Sequence, residues 1–144
     1  MTADCITTII QLRNHKRVKN RVLNIQELKL NNRDPVYLQV VKYVKRQILL
    51  RAVQSGDRMP SRREIASLLN INPNTAQKAF KAMEDEGFVH TSSTSGSVLY
   101  VDEAIYRRIE EELTRELVRS FVESAKESRM SLRNVVDLIQ EYWD

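Results

Sequence analysis

The chain has 144 residues, 42% of them hydrophobic and 29% charged; that length holds one compact domain with an appendage and no separate catalytic domain. No apolar run nears the ~20 residues that span a bilayer, and threonines and a glutamine break the stretch from Ile6 to Leu12, so no signal peptide and a cytoplasmic protein are expected. Cys5 is the single cysteine, which excludes an intramolecular disulfide and a multi-cysteine metal site.

The formal net charge of +4 is unevenly spread. Residues 1–33 hold seven Lys/Arg against two Asp/Glu, a basic N-terminal extension. Within it, Leu23-Asn24-Ile25 and Leu28-Lys29-Leu30 alternate, compatible with a short strand that pairs with a later hairpin. The stretch before them is compatible with a basic arm on DNA, an extra helix, or an upstream start. Residues 34–101 hold nine basic and six acidic residues. Asp34-Pro35 reads as an N-cap followed by proline in the first turn. Leu38, Val41, Val44, Ile48 and Ala52 then recur at helical spacing, which predicts a helix from Pro35 to Val53, closed by Ser55-Gly56-Asp57.

Ser61-Arg62-Arg63-Glu64 is a capping box, in which serine and glutamate satisfy each other's free amides. Ile65, Leu68 and Leu69 form the apolar face of the short helix it opens. Asn70-Ile71-Asn72 is a tight turn, and Asn70 tolerates a left-handed backbone. Asn72-Pro73 starts another helix, with Ala76, Ala79, Phe80 and Met83 as its buried stripe and Gly87 as its stop. Phe88 to Thr91 and Val98 to Val101 read as two strands joined by the small, polar loop from Ser92 to Ser97.

Residues 102–144 reverse the charge, with seven basic and eleven acidic residues. Ile105, Ile109, Leu113, Leu117, Phe121 and Ala125 step by four along one long helix, and Leu132, Val135, Val136, Ile139 and Trp143 mark a second. The predicted fold is therefore mostly α with a small β-hairpin wing: a winged helix-turn-helix over 34–101, followed by a two-helix tail.

A helix-turn-helix reads bases from the N-terminal residues of its second helix. Here those are Asn72, Asn74, Thr75, Gln77 and Lys78. Asn and Gln pair bidentately with adenine, and the threonine methyl meets the thymine methyl. Arg58, Ser61, Arg62, Arg63 and Lys81 flank them as candidate phosphate contacts, and the wing around Ser95 and Gly96 has little bulk to block a close approach. His15 and His90 are the only histidines and have no nucleophile matched to them. No glycine-rich phosphate loop or metal-ligand spacing appears, so neither an enzyme nor a cofactor is expected. His90 reads as a wing-strand residue within reach of a phosphate.

Three blocks taken together, Asp34-Pro35-Val36-Tyr37-Leu38-Gln39-Val40, Gly56 through Ala66, and Asn74-Thr75 with Glu86-Gly87, resemble the GntR family of transcription regulators. The resemblance spans about half the chain. It implies a winged-helix fold and operator binding, with Arg63 as a DNA contact, Asn72 to Gln77 as the start of the recognition helix and Gly96 as the wing glycine. Two positions depart from the family pattern. Pro73 stands where many members have an arginine, and Thr94 where the wing often has its first glycine, so the operator is not transferable from relatives.

The short tail resembles the YtrA-like subfamily, whose C-terminal helices serve dimerisation. Independently, one long amphipathic helix and one short one do not bury both of their stripes within so small a tail. A second copy would cover Ile109, Leu113, Leu117, Phe121, Val136, Ile139 and Trp143. A two-fold dimer places its recognition helices ~34 Å apart, or a multiple, on a near-palindromic duplex. The resemblance further implies repression of a neighbouring operon, often one encoding an ABC transporter. The tail shows no evident ligand pocket, which leaves any effector unnamed. The alternative function is a winged helix used for protein–protein contact, although the polar, basic face from Asn74 to Lys81 suits phosphate better than protein.

Overall fold

The computed structural model describes residues 21–144. The candidate basic arm, Cys5 and His15 lie in residues 1–20, outside the described residues. The order of elements is α1 (Val36–Leu49), α2 (Arg62–Leu69), α3 (Pro73–Asp85), β1 (Val89–Ser92), β2 (Gly96–Leu99), α4 (Glu103–Glu127) and α5 (Leu132–Tyr142). The chain divides into two compact units, the boundary falling after Ile105 rather than after Val101.

In the first unit, α3 packs against α1, α2 and β1. The core between them is made by Val40, Val44, Ile48, Ile65, Ala76, Ala79, Phe80, Met83, Phe88, Val89 and Leu99. All four apolar positions predicted on α3 are buried. On α1 the buried face is Val40, Val41, Val44 and Ile48, whereas Leu38 is exposed and Ala52 falls beyond the helix. Helix α1 also ends sooner than its periodicity suggests, because Arg51 takes a left-handed φ of 53° and reverses the chain. Its start differs too. Pro35 holds the cap position with no side-chain cap bond, and Asp34 does not cap. Instead Gln39, buried in the first turn, donates to the carbonyls of Asn31 and Asp34 at 3.0 and 2.8 Å and accepts from the Asn31 amide at 2.8 Å. This side chain ties the preceding loop onto the helix, which a buried amide must do to satisfy its own polar atoms.

The capping box of α2 is formed: the Glu64 amide donates to Ser61 Oγ at 3.2 Å, and the Ser61 amide donates to Glu64 Oε2 at 2.6 Å. Ile65 and Ala66 face the core, while Leu68 is exposed. Asn70 closes α2 with a φ of 51°, and Asn72 opens α3 by accepting from the Asn74 amide at 2.8 Å. The two helices are thus joined by a turn in which each end is satisfied by an asparagine.

The hairpin is antiparallel, with Val89 opposite Leu99 and Ser92 opposite Gly96. Its loop is three residues shorter than expected, since Ser92, Gly96 and Ser97 already belong to the strands. Arg58 bridges antiparallel to Val98 and, on its other side, parallel to Val22. The N-terminal segment therefore pairs with Arg58 rather than with the hairpin itself. The Leu23 amide donates to the Arg58 carbonyl and the Arg58 amide to the Arg21 carbonyl, both at 2.8 Å. Leu23 and Ile25 are buried, so this segment belongs to the core of the winged helix and not to a separate extension.

In the second unit, α4 and α5 are joined by a turn in which Arg129 has a φ of 56°, and Ser131 caps α5 by accepting from the Asn134 amide at 3.2 Å. Ala125 and Val135 are buried near the turn. Ile109 is fully buried and Leu113 nearly so within a single chain, which removes both from the apolar surface that a second copy was expected to cover. What remains open is the stretch from Leu117 to Val122 on α4 and most of the apolar face of α5.

Candidate nucleic-acid interface

The candidate readers are gathered at the start of α3, where a capped turn and Pro73 present the first helical turn to solvent. Asn72, Asn74, Gln77 and Lys78 are exposed, and Thr75 is half-buried. Asn72 is already engaged as the cap, so its side-chain oxygen holds the Asn74 amide. Asn74 and Gln77 have no side-chain partner among the described residues, which leaves their amides free to present a donor and an acceptor together. Lys78 is held differently: its Nζ lies 4.2 Å from the centroid of the Tyr37 ring. Lys81 pairs one turn along with Asp85 at 3.3 Å, both highly exposed. Such a pair contributes only about 0.3–0.5 kcal/mol, so Lys81 exchanges readily to an anionic partner.

The neighbouring arginines of α2 part company. Arg63 is exposed, and its guanidinium has no partner among the described residues. Arg62, expected beside it as a phosphate contact, turns back onto the domain. Its Nη2 pairs with Glu84 Oε1 at 3.0 Å, and its guanidinium lies over the Phe80 ring at 4.9 Å. Adjacent helical residues point about 100° apart, which sends one guanidinium outward and the other inward. Thr91 Oγ1 donates to the same Glu84 oxygen at 2.6 Å and lies 2.7 Å from Ser97 Oγ. One carboxylate thereby links α2, α3 and both strands of the hairpin.

Arg58 is also committed in part, as its Nη2 donates to the Ser95 carbonyl at 3.1 Å. The hairpin tip is braced further by Ser92 Oγ, which accepts from the Ser95 amide at 3.0 Å. Gly96 has a φ of 72°, with open space around the position a Cβ would take, so its role here is conformational rather than steric. His90 stacks on Tyr100, ring centroids 4.9 Å apart and planes 11° from parallel. Ser61 is spent on capping, and its hydrogen bonds hold the Glu64 carboxyl below the usual carboxylate range.

Three contributors escape a reading by residue type alone. Tyr37 lies on α1, Glu84 is acidic, and Thr91 is on a strand, so none resembles a DNA contact. The only trace is the Pro35-Val36-Tyr37 motif at the start of α1. Among the described residues no cluster of metal-ligating side chains occurs, and no helix is long and apolar enough to cross a membrane.

The family model for bacterial regulatory proteins of the gntR family matches residues 36–99. The chain is similar to the uncharacterized HTH-type transcriptional regulator YhcF of Bacillus subtilis (strain 168), with 30% identity over 108 residues, 75% of this chain and 89% of that protein. It is also similar to the HTH-type transcriptional repressor YtrA of the same organism, 37% identical over 65 residues that make up 45% of this chain and 50% of that protein. Among solved structures, a GntR family transcriptional regulator from Listeria monocytogenes has the same fold. It superposes with a TM-score of 0.68 at 23% identity, covering 78% of this chain and 98% of that one.

Proposed function

This chain belongs to the GntR family of bacterial transcription regulators, and from that premise we propose that it is a repressor that binds a near-palindromic operator as a homodimer. The observation that carries the reading is an open recognition-helix start beside an arginine with no partner among the described residues. Among the described residues, the side chains of Asn74 and Gln77 on α3 and of Arg63 on α2 have no partner. In this reading Asn74, Thr75 and Gln77 meet base edges, while Arg63, Lys78 and Lys81 meet phosphates. The braced tip at Ser95 and Gly96 approaches the backbone from the wing side. Arg62 and Ser61 act one step back, holding α2 so that Arg63 faces outward.

Dimerisation is supported by the tail. Leu117 is 72% exposed and Trp143 82% exposed, and Phe121, Val136 and Ile139 are each more than 40% exposed. An apolar face of this length on two successive helices is unusual on a monomer and suits a second copy of the same helices. Repression is supported by the similarity to YtrA, which is described as a repressor. A dimer seated on a promoter excludes other proteins from the DNA it covers.

The test is a mobility-shift titration with DNA from the protein's own promoter, across a salt series. Wild type binds one near-palindrome tightly and with steep salt dependence, and Arg63→Ala and Gln77→Ala each weaken it. Binding no better than to random DNA, or binding indifferent to both substitutions, overturns the reading. In that event the tail, rather than the winged helix, becomes the place to look for a protein partner.

A further inference from the structure

Lys78 is distinguished from the other polar residues of α3 by what holds it. Its Nζ sits 4.2 Å from the centre of the Tyr37 ring, and Tyr37 is the second residue of α1. The ring is half-buried in the first unit, where α1 and α3 pack together. The ammonium is thus drawn toward the α1 side of the recognition helix. Gln77, about 100° away around the same helix, is exposed and has no such partner among the described residues.

An ammonium resting over an aromatic face keeps its N–H donors for a further acceptor, because the ring attracts the charge as a whole rather than taking one hydrogen bond. A lysine on a free four-carbon stem must lose rotamer freedom to meet a phosphate. One already laid on a ring has lost part of it before DNA arrives, and preorganisation of this kind adds to affinity.

We propose that Tyr37 is a positioning residue for DNA binding: it holds Lys78 against α1 and commits that lysine to the phosphate backbone, leaving sequence reading to Asn74, Thr75 and Gln77. This rests on the DNA-binding reading above. It divides the recognition helix into a side that sets affinity and a side that sets sequence. Tyr37 itself touches no base and acts only through Lys78.

The experiment is fluorescence anisotropy of the full chain on its operator and on a one-base-pair variant, each across a salt series. The proteins are wild type, Lys78→Ala, Tyr37→Phe, Tyr37→Leu and the Tyr37→Leu/Lys78→Ala double variant. Lys78→Ala is expected to lower the salt slope by ~0.9, the loss of one phosphate contact, and to leave the ratio between the two sites unchanged. Tyr37→Phe keeps the ring and behaves as wild type. Tyr37→Leu weakens both sites by about 2- to 5-fold, the worth of an exposed cation–π contact. The double variant is no weaker than Lys78→Ala, since the ring has nothing left to hold. Independent, multiplying losses overturn the proposal, as does a change in site preference on Lys78→Ala. A second readout avoids any folding defect in Tyr37→Leu: in the wild-type NMR spectrum the Lys78 ε-methylene protons shift upfield from the ring current, and their absence from that position overturns the proposal. If wild type binds the operator and Arg63→Ala weakens it while Lys78→Ala does not, this inference fails and the DNA-binding reading stands. If wild type ignores the operator, both fail.

Discussion

Arg62 and Glu84 lie 22 positions apart in sequence and meet at 3.0 Å across the α2–α3 junction. Both side chains are about one-third exposed, at 34% and 33%. The Arg62 Nε is buried with no hydrogen-bond partner among the described residues, and the guanidinium is held there by its outer nitrogen and by the face of Phe80. This placement separates two arginines that are neighbours in sequence. Arg62→Ala should lower the unfolding free energy by about 1–2 kcal/mol, from a partly screened ion pair and a cation–π contact together. Arg63→Ala should leave stability within about 0.5 kcal/mol yet lower the salt slope of operator binding by ~0.9. Urea unfolding and a salt-series binding assay on the two variants check this. Swapped phenotypes would mean that Arg62, not Arg63, faces the DNA.

The N-terminal segment offers a second check. Tyr43 donates its hydroxyl to the Asn24 carbonyl at 2.7 Å, pinning the stretch that buries Leu23 and Ile25. Burial, and then the charge of Glu27, push the phenol above its usual value of 10.0. A group raised in the folded state contributes stability that is present below its unfolded value and lost as pH rises through the folded one. One of the five tyrosines should therefore ionise late in an ultraviolet titration, and that transition should vanish in Tyr43→Phe. The same variant should lose about 1 kcal/mol and exchange its Leu23 amide faster, because the pairing with Arg58 loses its anchor.

Glu64 tests the opposite sign. Hydrogen bonds from the Ser61 amide and hydroxyl, against a smaller desolvation effect, hold its carboxyl below 4.5. A lowered carboxylate contributes stability that is present above its unfolded value and lost as pH falls through the folded one. Thermal unfolding midpoints of wild type should therefore drop more steeply on acidification below pH 4.5 than those of Glu64→Gln. Equal slopes for the two proteins would show that the capping box carries no ionic part.

Local signals were legible because their causes are local. The Ser61–Glu64 box, the Asn72-Pro73 start and the left-handed Asn70 each satisfy backbone groups within a few residues, and each is present. Periodicity was less decisive at the edges of a stripe. Leu38 and Leu68 match helical spacing but are 44% and 46% exposed, because spacing says which face is apolar and not how far a neighbour covers it. Long-range pairings left little trace beyond the alternation in the N-terminal segment, which does not name its partner. Arg58 bridging Val22 to Val98, and Glu84 gathering Arg62 and Thr91, join residues that no short window contains. For the same reason the sequence offers the candidate site only as polar residues around α3, and does not separate free groups from committed ones.

The tail separates residues buried within one chain from an exposed apolar face that the proposed dimer would cover. Ile109 is fully buried in the single chain, whereas Leu117 and Phe121, two and three turns further along the same helix, are 72% and 45% exposed. Truncating Ile109 to alanine should therefore cost about 2–5 kcal/mol of stability, as for a buried aliphatic side chain, at any protein concentration. Leu117→Glu with Phe121→Glu should instead leave the first unit folded and convert the proposed dimer to a monomer in sedimentation velocity. A charge placed in an apolar contact between copies is left unpaired when they associate. The monomer should then lose operator affinity far more than either half-site's sequence explains, since two recognition helices no longer bind as one body. A double variant that still sediments as a dimer would place the interface elsewhere. One that becomes a monomer yet binds the full operator as before would show that the two halves of the operator are read independently.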